Sequence, residues 1–311
     1  MLTGQPFDDL RTIVSQLPDA DDDAANAFVT ACEMSSFTED RGLVELGAWM
    51  AAWQGRANPA SKDTHICILA SSYKGSGKPE DVLGYVAATA KGRAPVNLLC
   101  VDQGIGLRAL ELAPQLPHDP NVEWREADCM GAVAFGMEAA ASEGDVLGLT
   151  AYAPGGDVRA LSVLVATGAL KPDATENTSS PLGQMLAHPT VAAVAPCAGL
   201  DPLEAMQQFG GREIAGAVGA IIATRSKRLP MLAEGWAALA AMVVLRALRP
   251  GSTDHVMFSA PDSPALKQAL EQLNFTTLIS QPVGVGPGCA VALALPVLKA
   301  ACQLPSMPAL E

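Results

Sequence analysis

Aromatic side chains are scarce in this 311-residue sequence, at 5% of the chain with three tyrosines among them. An aromatic-rich β-sandwich is therefore a poor fit, and the Ala/Leu-rich remainder favours helices packed on a buried sheet. Positive charge is short too: 20 Lys and Arg stand against 33 Asp and Glu, a net charge of −13. Nucleic-acid binding needs a basic surface to displace counterions, so that class is excluded. The seven cysteines include no C-x-x-C pair, which argues against zinc and thioredoxin-type chemistry and suits a reducing compartment. The four histidines, His65, His118, His188 and His255, have no neighbour at metal-ligand spacing. The N-terminus lacks a basic-then-apolar targeting pattern, and the longest apolar stretch, Trp236 to Leu245, is about half a membrane span. The expectation is a cytoplasmic protein with no membrane or nucleic-acid partner.

What is abundant is apolar residue, 49% of the chain, enough to bury a large core. Residues 6–56 carry helical periodicity. Phe7, Leu10, Ile13, Val14 and Leu17 mark a first helix that Pro18 ends; a second follows Asp21 to Asp23; a third runs from about Glu39 to Trp53. Gly55 to Lys62 reads as a linker. Beyond it, short apolar runs alternate with helical stretches at 79–92, 126–143, 157–168, 201–226, 234–248 and 263–273, with a last helix at about 290–302. The strands expected are His65–Ala70, Val96–Val101, Val146–Thr150, Leu229–Ala233 and His255–Ser259, with Thr277–Ser280 weaker. That alternation predicts an α/β fold, a parallel sheet covered by helices on both faces, with a smaller helical domain built from terminal segments. The divisions expected are a helical segment at 1–56, an α/β main domain at 57–283, and a C-terminal helix and tail at 284–311.

Ligands of open α/β sheets bind beyond the carboxyl ends of the strands. Residues in the loops expected there are the pocket candidates: Ser72, Tyr73 and Lys74 after the first strand, Asp102 after the second, Tyr152, Gly155, Gly156 and Asp157 after the third, and Glu234 after the fourth. Gly286 and Gly288, before the last helix, can present backbone N–H groups. Gly75-Ser76-Gly77-Lys78 is not a phosphate loop, because Ser72 and Pro79 occupy positions that need Gly and Ser/Thr. Gly210-Gly211-Arg212-Glu213 reads as the architectural start of a helix, its acid suited to the helix dipole.

Several segments in collinear order resemble one family. They are Asp201 to Ala205, Gly210 to Ala215, Gly219 to Ile222, Leu229 to Gly235, Arg249 to His255, and Ala290 to Pro296, with Leu43 to Gly55 toward the N-terminus. The sequence is similar to the nicotinate-nucleotide:dimethylbenzimidazole phosphoribosyltransferases of cobalamin assembly. The resemblance implies an α/β fold, a homodimer, and transfer of phosphoribose from nicotinate mononucleotide to a benzimidazole, with a glutamate as general base. It also places that glutamate at Pro287 and a second one at Ala151. The phosphate-holding Asn-Thr-Thr falls on Gly156-Asp157-Val158, and a phosphate-contacting lysine falls near Gln184. Two further loops fall on Ser72-Tyr73-Lys74 and on Phe37 to Gly42. Proline can neither accept a proton nor donate a hydrogen bond there, and Asp157 repels phosphate.

The expectation is a diverged member without catalytic residues at the family's positions. It would act as a ligand-binding homologue, or as the partner subunit of an intact family member. The alternative is an active transferase with relocated residues, for which Asp102 and Glu234 are the best candidates. A third reading is a purely structural or interaction protein, with the Ala/Gly-rich helix Ala215 to Thr224 as a dimer face. No motif implies a cofactor or a metal.

Overall fold

The computed structural model describes residues 4–33, 41–141, 144–172 and 179–306. Part of the expected 37–42 loop and the start of the third helix lie outside them. Three helices open the chain: α1 (Pro6–Ser15), α2 (Asp22–Glu33) and α3 (Arg41–Gln54). Then come β1 (Thr64–Ala70), α4 (Pro79–Ala90), α5 (Pro95–Gln103), β2 (Gly106–Glu111), α6 (Glu126–Met137), β3 (Val146–Tyr152) and α7 (Gly156–Ala166). Short helices α8 (Pro181–Leu186) and α9 (Pro189–Ala192) lead to α10 (Pro202–Phe209) and α11 (Arg212–Ser226). The chain closes through β4 (Met231–Ala233), α12 (Gly235–Leu248), β5 (Val256–Phe258), α13 (Pro264–Gln272) and α14 (Cys289–Gln303).

Among the described residues five strands form one parallel sheet, in the order β2-β1-β3-β4-β5. Side chains alternate between two cores, as a period of two requires. Cys67, Leu69, Leu147, Leu149, Met231 and Ala233 face the core shared with α6, α7, α11 and α12. Ile66, Ile68, Val146 and Leu232 face the one shared with α3, α5 and α14. The expected α/β fold, covered on both faces, is the observed one. At Gly148 the absence of a side chain lets α14 approach, since a Cβ there would stand 2.4 Å from a methyl of Val291. α1 joins the first core through Phe7, Leu10 and Val14. α2 and α3 enclose a small cluster of Phe28, Cys32, Ala51 and Leu304.

One expected strand is a helix. The run Val96–Val101 lies within α5, where Pro95 starts the helix, Asn97 Oδ1 accepts the Ala94 N–H at 2.9 Å, and Gly104 ends it in the left-handed region at φ +70°. Those terminal signals outweigh an apolar run that strand and helix patterns share. The real neighbour of β1 is the half-buried edge strand β2, whose sequence GLRALE carries two charges. The expected helix over 201–226 is two helices, broken at Gly210-Gly211, where both residues take extended backbone; Gly211 also leaves the space that the Tyr73 hydroxyl fills. Thr277–Ser280 supplies only an isolated bridge from Thr277 to Phe258. Among the described residues one helical stretch, Cys289–Ser306, is long and apolar enough to cross a membrane, and half of it is buried inside the fold.

Candidate functional site

The winding of the sheet reverses between β1 and β3, and a cavity of about 430 Å³ opens beyond the carboxyl ends of β3 and β4. An open parallel sheet places its ligand site at such a position. Thr150 and Ala151 end β3 in the wall; Gly155, Gly156 and Asp157 open α7; Glu213 opens α11; Glu234, Gly235 and Trp236 open α12. Asp262 comes from the turn after β5, and Gly284, Gly286 and Pro287 from the loop before α14. Pro287 and Ala151 thus face the same cavity.

The wall is acidic. It contains Asp157, Glu213, Glu234 and Asp262, and no Lys or Arg among the described residues. Glu234 is 4% exposed; its Oε1 accepts the Gly288 N–H at 3.0 Å and its Oε2 the Val291 N–H at 3.2 Å. It therefore ties the loop before α14 to the end of β4. Burial pushes its carboxyl up to about 7, against the pull of those backbone donors and with help from the charge of Asp262. Glu213 is fully buried and accepts hydroxyls from Ser71 and Tyr73, both at 2.5 Å. Burial raises its carboxyl as well. Asp262 is raised by burial and by the charge of Asp157, and its Oδ1 is buried with no hydrogen-bond partner. Among the described residues no cluster of three His, Cys, Asp or Glu has a geometry that could hold a metal ion.

Of the residues expected in the pocket, Gly155, Gly156, Asp157, Glu234 and Gly286 line the cavity. Gly288 caps α14 at φ +85° and donates to Glu234. Asp102 is the clear correction: it lies exposed on α5, because its segment is a helix, and a helix places it at no strand end. Ser72 is buried and donates to the Pro114 carbonyl at 2.6 Å, and Tyr73 donates to Glu213 beneath the wall. Lys74 points outward and pairs with Asp119 at 2.7 Å. Tyr152 stacks on Tyr85, ring centroids 4.1 Å apart, and the Tyr85 hydroxyl donates to the Pro287 carbonyl at 3.4 Å. Glu213 and Asp262 were not among the candidates. Asp262 follows a strand and precedes the helix start Ser263-Pro264, so the strand-end rule alone reaches it. Glu213 shows no such signal, since it reads as a dipole-complementing first-turn acid.

Comparison with known proteins places this chain among the phosphoribosyltransferases. The Phosphoribosyltransferase family profile covers residues 38–309. The nicotinate-nucleotide–dimethylbenzimidazole phosphoribosyltransferase of Rhizobium leguminosarum bv. trifolii is 34% identical over 96% of this chain and 94% of its own length. That of Sinorhizobium medicae is 32% identical over 96% and 94%. The crystal structure of CobT from Thermus thermophilus superposes with a TM-score of 0.78 at 21% identity, covering 92% of this chain and 96% of that one, a likeness of fold. The chain belongs to the nicotinate-nucleotide–dimethylbenzimidazole phosphoribosyltransferase family.

Proposed function

We propose that this chain binds a small ligand in the strand-end cleft without carrying out the ribosyl transfer of its family. One observation carries the reading: the cavity wall holds four carboxylates and no Lys or Arg among the described residues. A ribosyl donor brings a phosphate, and anionic walls oppose it, the more so where water is sparse. Helix N-termini are natural phosphate sites, but here the chain's own acids serve them. Asp157 sits in the first turn of α7, Glu213 in that of α11, and Glu234 takes the Gly288 and Val291 N–H groups at the start of α14. Pro287 and Ala151, where the resemblance implies glutamates, supply no base. Losing a general base alone slows a reaction by about 10²- to 10⁴-fold. Purified protein incubated with nicotinate mononucleotide and 5,6-dimethylbenzimidazole is expected to form no product at rates usual for an enzyme. Product at such rates overturns the proposal.

One observation favours the alternative, an active transferase with a relocated base. The Glu234 carboxyl is pushed up to about 7, and its two backbone donors belong to the segment that follows Pro287. A base poised near the working pH is what proton abstraction requires. Under this reading Glu234→Gln abolishes a measurable transfer rate while the protein stays folded. We further propose a cytoplasmic homodimer, or a heteromer with an intact family member. Light scattering of the protein alone, and after mixing with such a member, separates the two.

A further inference from the structure

We infer that a second cavity, between α10 and the loop that leads into α6, binds a sugar that carries no negative charge. This cavity of about 540 Å³ shares no wall residue with the strand-end cleft, so its ligand is independent of any ribosyl transfer there. His118 is the buried member of its wall, only 7% exposed. The loop after β1 pins the backbone of this residue: the His118 N–H donates to the Ser72 carbonyl at 2.8 Å, and its carbonyl accepts the Lys74 N–H at 3.0 Å. The ring meets that of Tyr73 edge-on, centroids 5.7 Å apart, and that of Trp124 at 4.9 Å. Those contacts fix the plane of the imidazole, yet no described residue hydrogen-bonds to either of its nitrogens, and the ring lines the cavity. Burial, with the charges of Arg212 and Arg159, lowers its pKa to about 4 against the pull of Asp119. At pH 7 the ring is therefore neutral and offers one N–H donor and one acceptor. Buried polar groups left unpaired are costly, and a ligand hydroxyl, which both donates and accepts, can serve either nitrogen.

The rest of the wall has the same mixed character. Gln207 donates its amide N–H to the Trp124 carbonyl at 2.6 Å, which ties the indole segment to α10 and leaves Oε1 as an acceptor. Glu126 accepts the Phe7 N–H through Oε2 at 3.1 Å, which leaves Oε1. At the rim the exposed Gln208 carboxamide adds donors as well as an acceptor. Trp124 contributes a large apolar ring, against which the C–H face of a sugar can pack. Several hydroxyls on one compact frame answer this set, whereas an apolar ligand leaves the imidazole and the carboxamides unpaired. A phosphorylated sugar meets Glu123, Glu126 and Glu204, with no Lys or Arg in the wall among the described residues. No group of His, Cys, Asp or Glu among the described residues could hold a metal ion there. The volume admits one or two sugar rings.

Saturation-transfer NMR at pH 7 with glucose, galactose and mannose, each titrated separately, tests the inference on the parent protein. Saturable transfer to at least one of the three is expected. The 6-phosphate of that sugar, and cyclohexanol, which keeps one hydroxyl on a similar frame, are expected to bind at least about tenfold more weakly. The ring nitrogen resonances of His118 are expected to move with the same midpoint as the transfer signal, since they gain hydrogen bonds. His118→Phe keeps a ring between Tyr73 and Trp124 and removes both nitrogens, and it is expected to weaken the sugar by about tenfold. No transfer to any of the three sugars, equal affinity for the 6-phosphate or for cyclohexanol, or His118 resonances that stay in place overturns the inference. These readouts need no variant, so they decide even where His118→Phe does not fold. A folded His118→Phe variant with unchanged affinity also overturns it, because the sugar then binds elsewhere.

Discussion

The two ends of the sheet treat charge in opposite ways. At the amino end, where α11 and α12 finish, Arg225 and Arg249 are both fully engaged. Arg225 donates to the Pro18 carbonyl at 2.6 Å and the Gly251 carbonyl at 3.0 Å, and its guanidinium lies 4.1 Å over the Trp53 ring. Arg249 donates to the Leu17 carbonyl at 2.6 Å, and both arginines reach Asp19. These cations satisfy carbonyls just beyond α1 and hold that helix against the main core. At the carboxyl end four acids share one cavity without a cation in the wall. Opposite charges pair at one end, and acids stand together without a cation in the wall at the other. Folds tolerate such conflict at sites, which is the reason to look for function there.

The comparison breaks most visibly at Arg225. Its guanidinium is nearly inaccessible, so Arg225→Ala removes a stacked cation and leaves two carbonyls short of donors. A loss of about 3 kcal/mol or more is expected in urea unfolding. Arg225→Lys is expected to recover only part of it, since one ammonium cannot span both carbonyls while stacking. The titration of Glu234 should not move in either variant, because the residue lies at the far end of the sheet. A parallel shift would show that the two ends are not independent.

Histidine gives the next largest effect. His255 is fully buried, with Nε2 3.0 Å from the Ile221 carbonyl, and burial lowers its pKa to about 3. Between that value and the unfolded value near 6.5 the unfolded chain binds the extra proton, so its contribution to stability falls as pH falls. From pH 7 to pH 5 the loss is about 2 kcal/mol. The cleft acids run the other way. The Glu234 carboxyl is raised, so the folded state holds its proton between the unfolded value and about 7, and its contribution to stability falls as pH rises through that window. Stability measured across pH 5 to 8 should therefore steepen on the acid side when Glu234 is replaced by Gln. When His255 is replaced by Asn the slope should reverse there, stability falling as pH rises, because only the opposing contribution of Glu234 remains. Gly148→Ala is expected to cost about 1.5 kcal/mol by crowding Val291 and Ile66, with no pH dependence at all.

How much of this was legible in the sequence follows from where the information sits. Largely buried strands such as Thr64–Ala70 and Val146–Tyr152 announce themselves as apolar runs, and the strand-end rule then finds Asp157 and Glu234. An edge strand does not. β2 carries Arg108 and Glu111 because one side lacks a neighbour, whereas the apolar run before it belongs to a helix whose Pro95 start and Gly104 end were the better guide. That exchange placed Asp102 at a strand end it does not occupy. Glu213 was out of reach for another reason. First-turn acids are commonplace, and only the packing of Tyr73 over Gly211 sets this one into the cavity wall.

The smallest expected effect is also the sharpest test of the contrast between the two ends. Asp262→Asn removes one of the like charges and preserves the shape of the side chain. Its carboxyl is raised above the usual range by burial and by Asp157, so stability is lost as pH rises from the unfolded value through the higher folded one. At pH 8 the asparagine variant is therefore expected to be more stable than the parent, by about 1 kcal/mol or less, and near pH 4 the difference should vanish. The Glu234 carboxyl, freed of the neighbouring charge, should titrate below its value of about 7, which carboxyl-directed NMR can follow. A variant that gains stability would show that the neighbouring acids stand together at a cost to the fold. A variant less stable at pH 8 would mean that Asp262 holds the turn after β5 together, and that the acidity of the cleft is incidental to it.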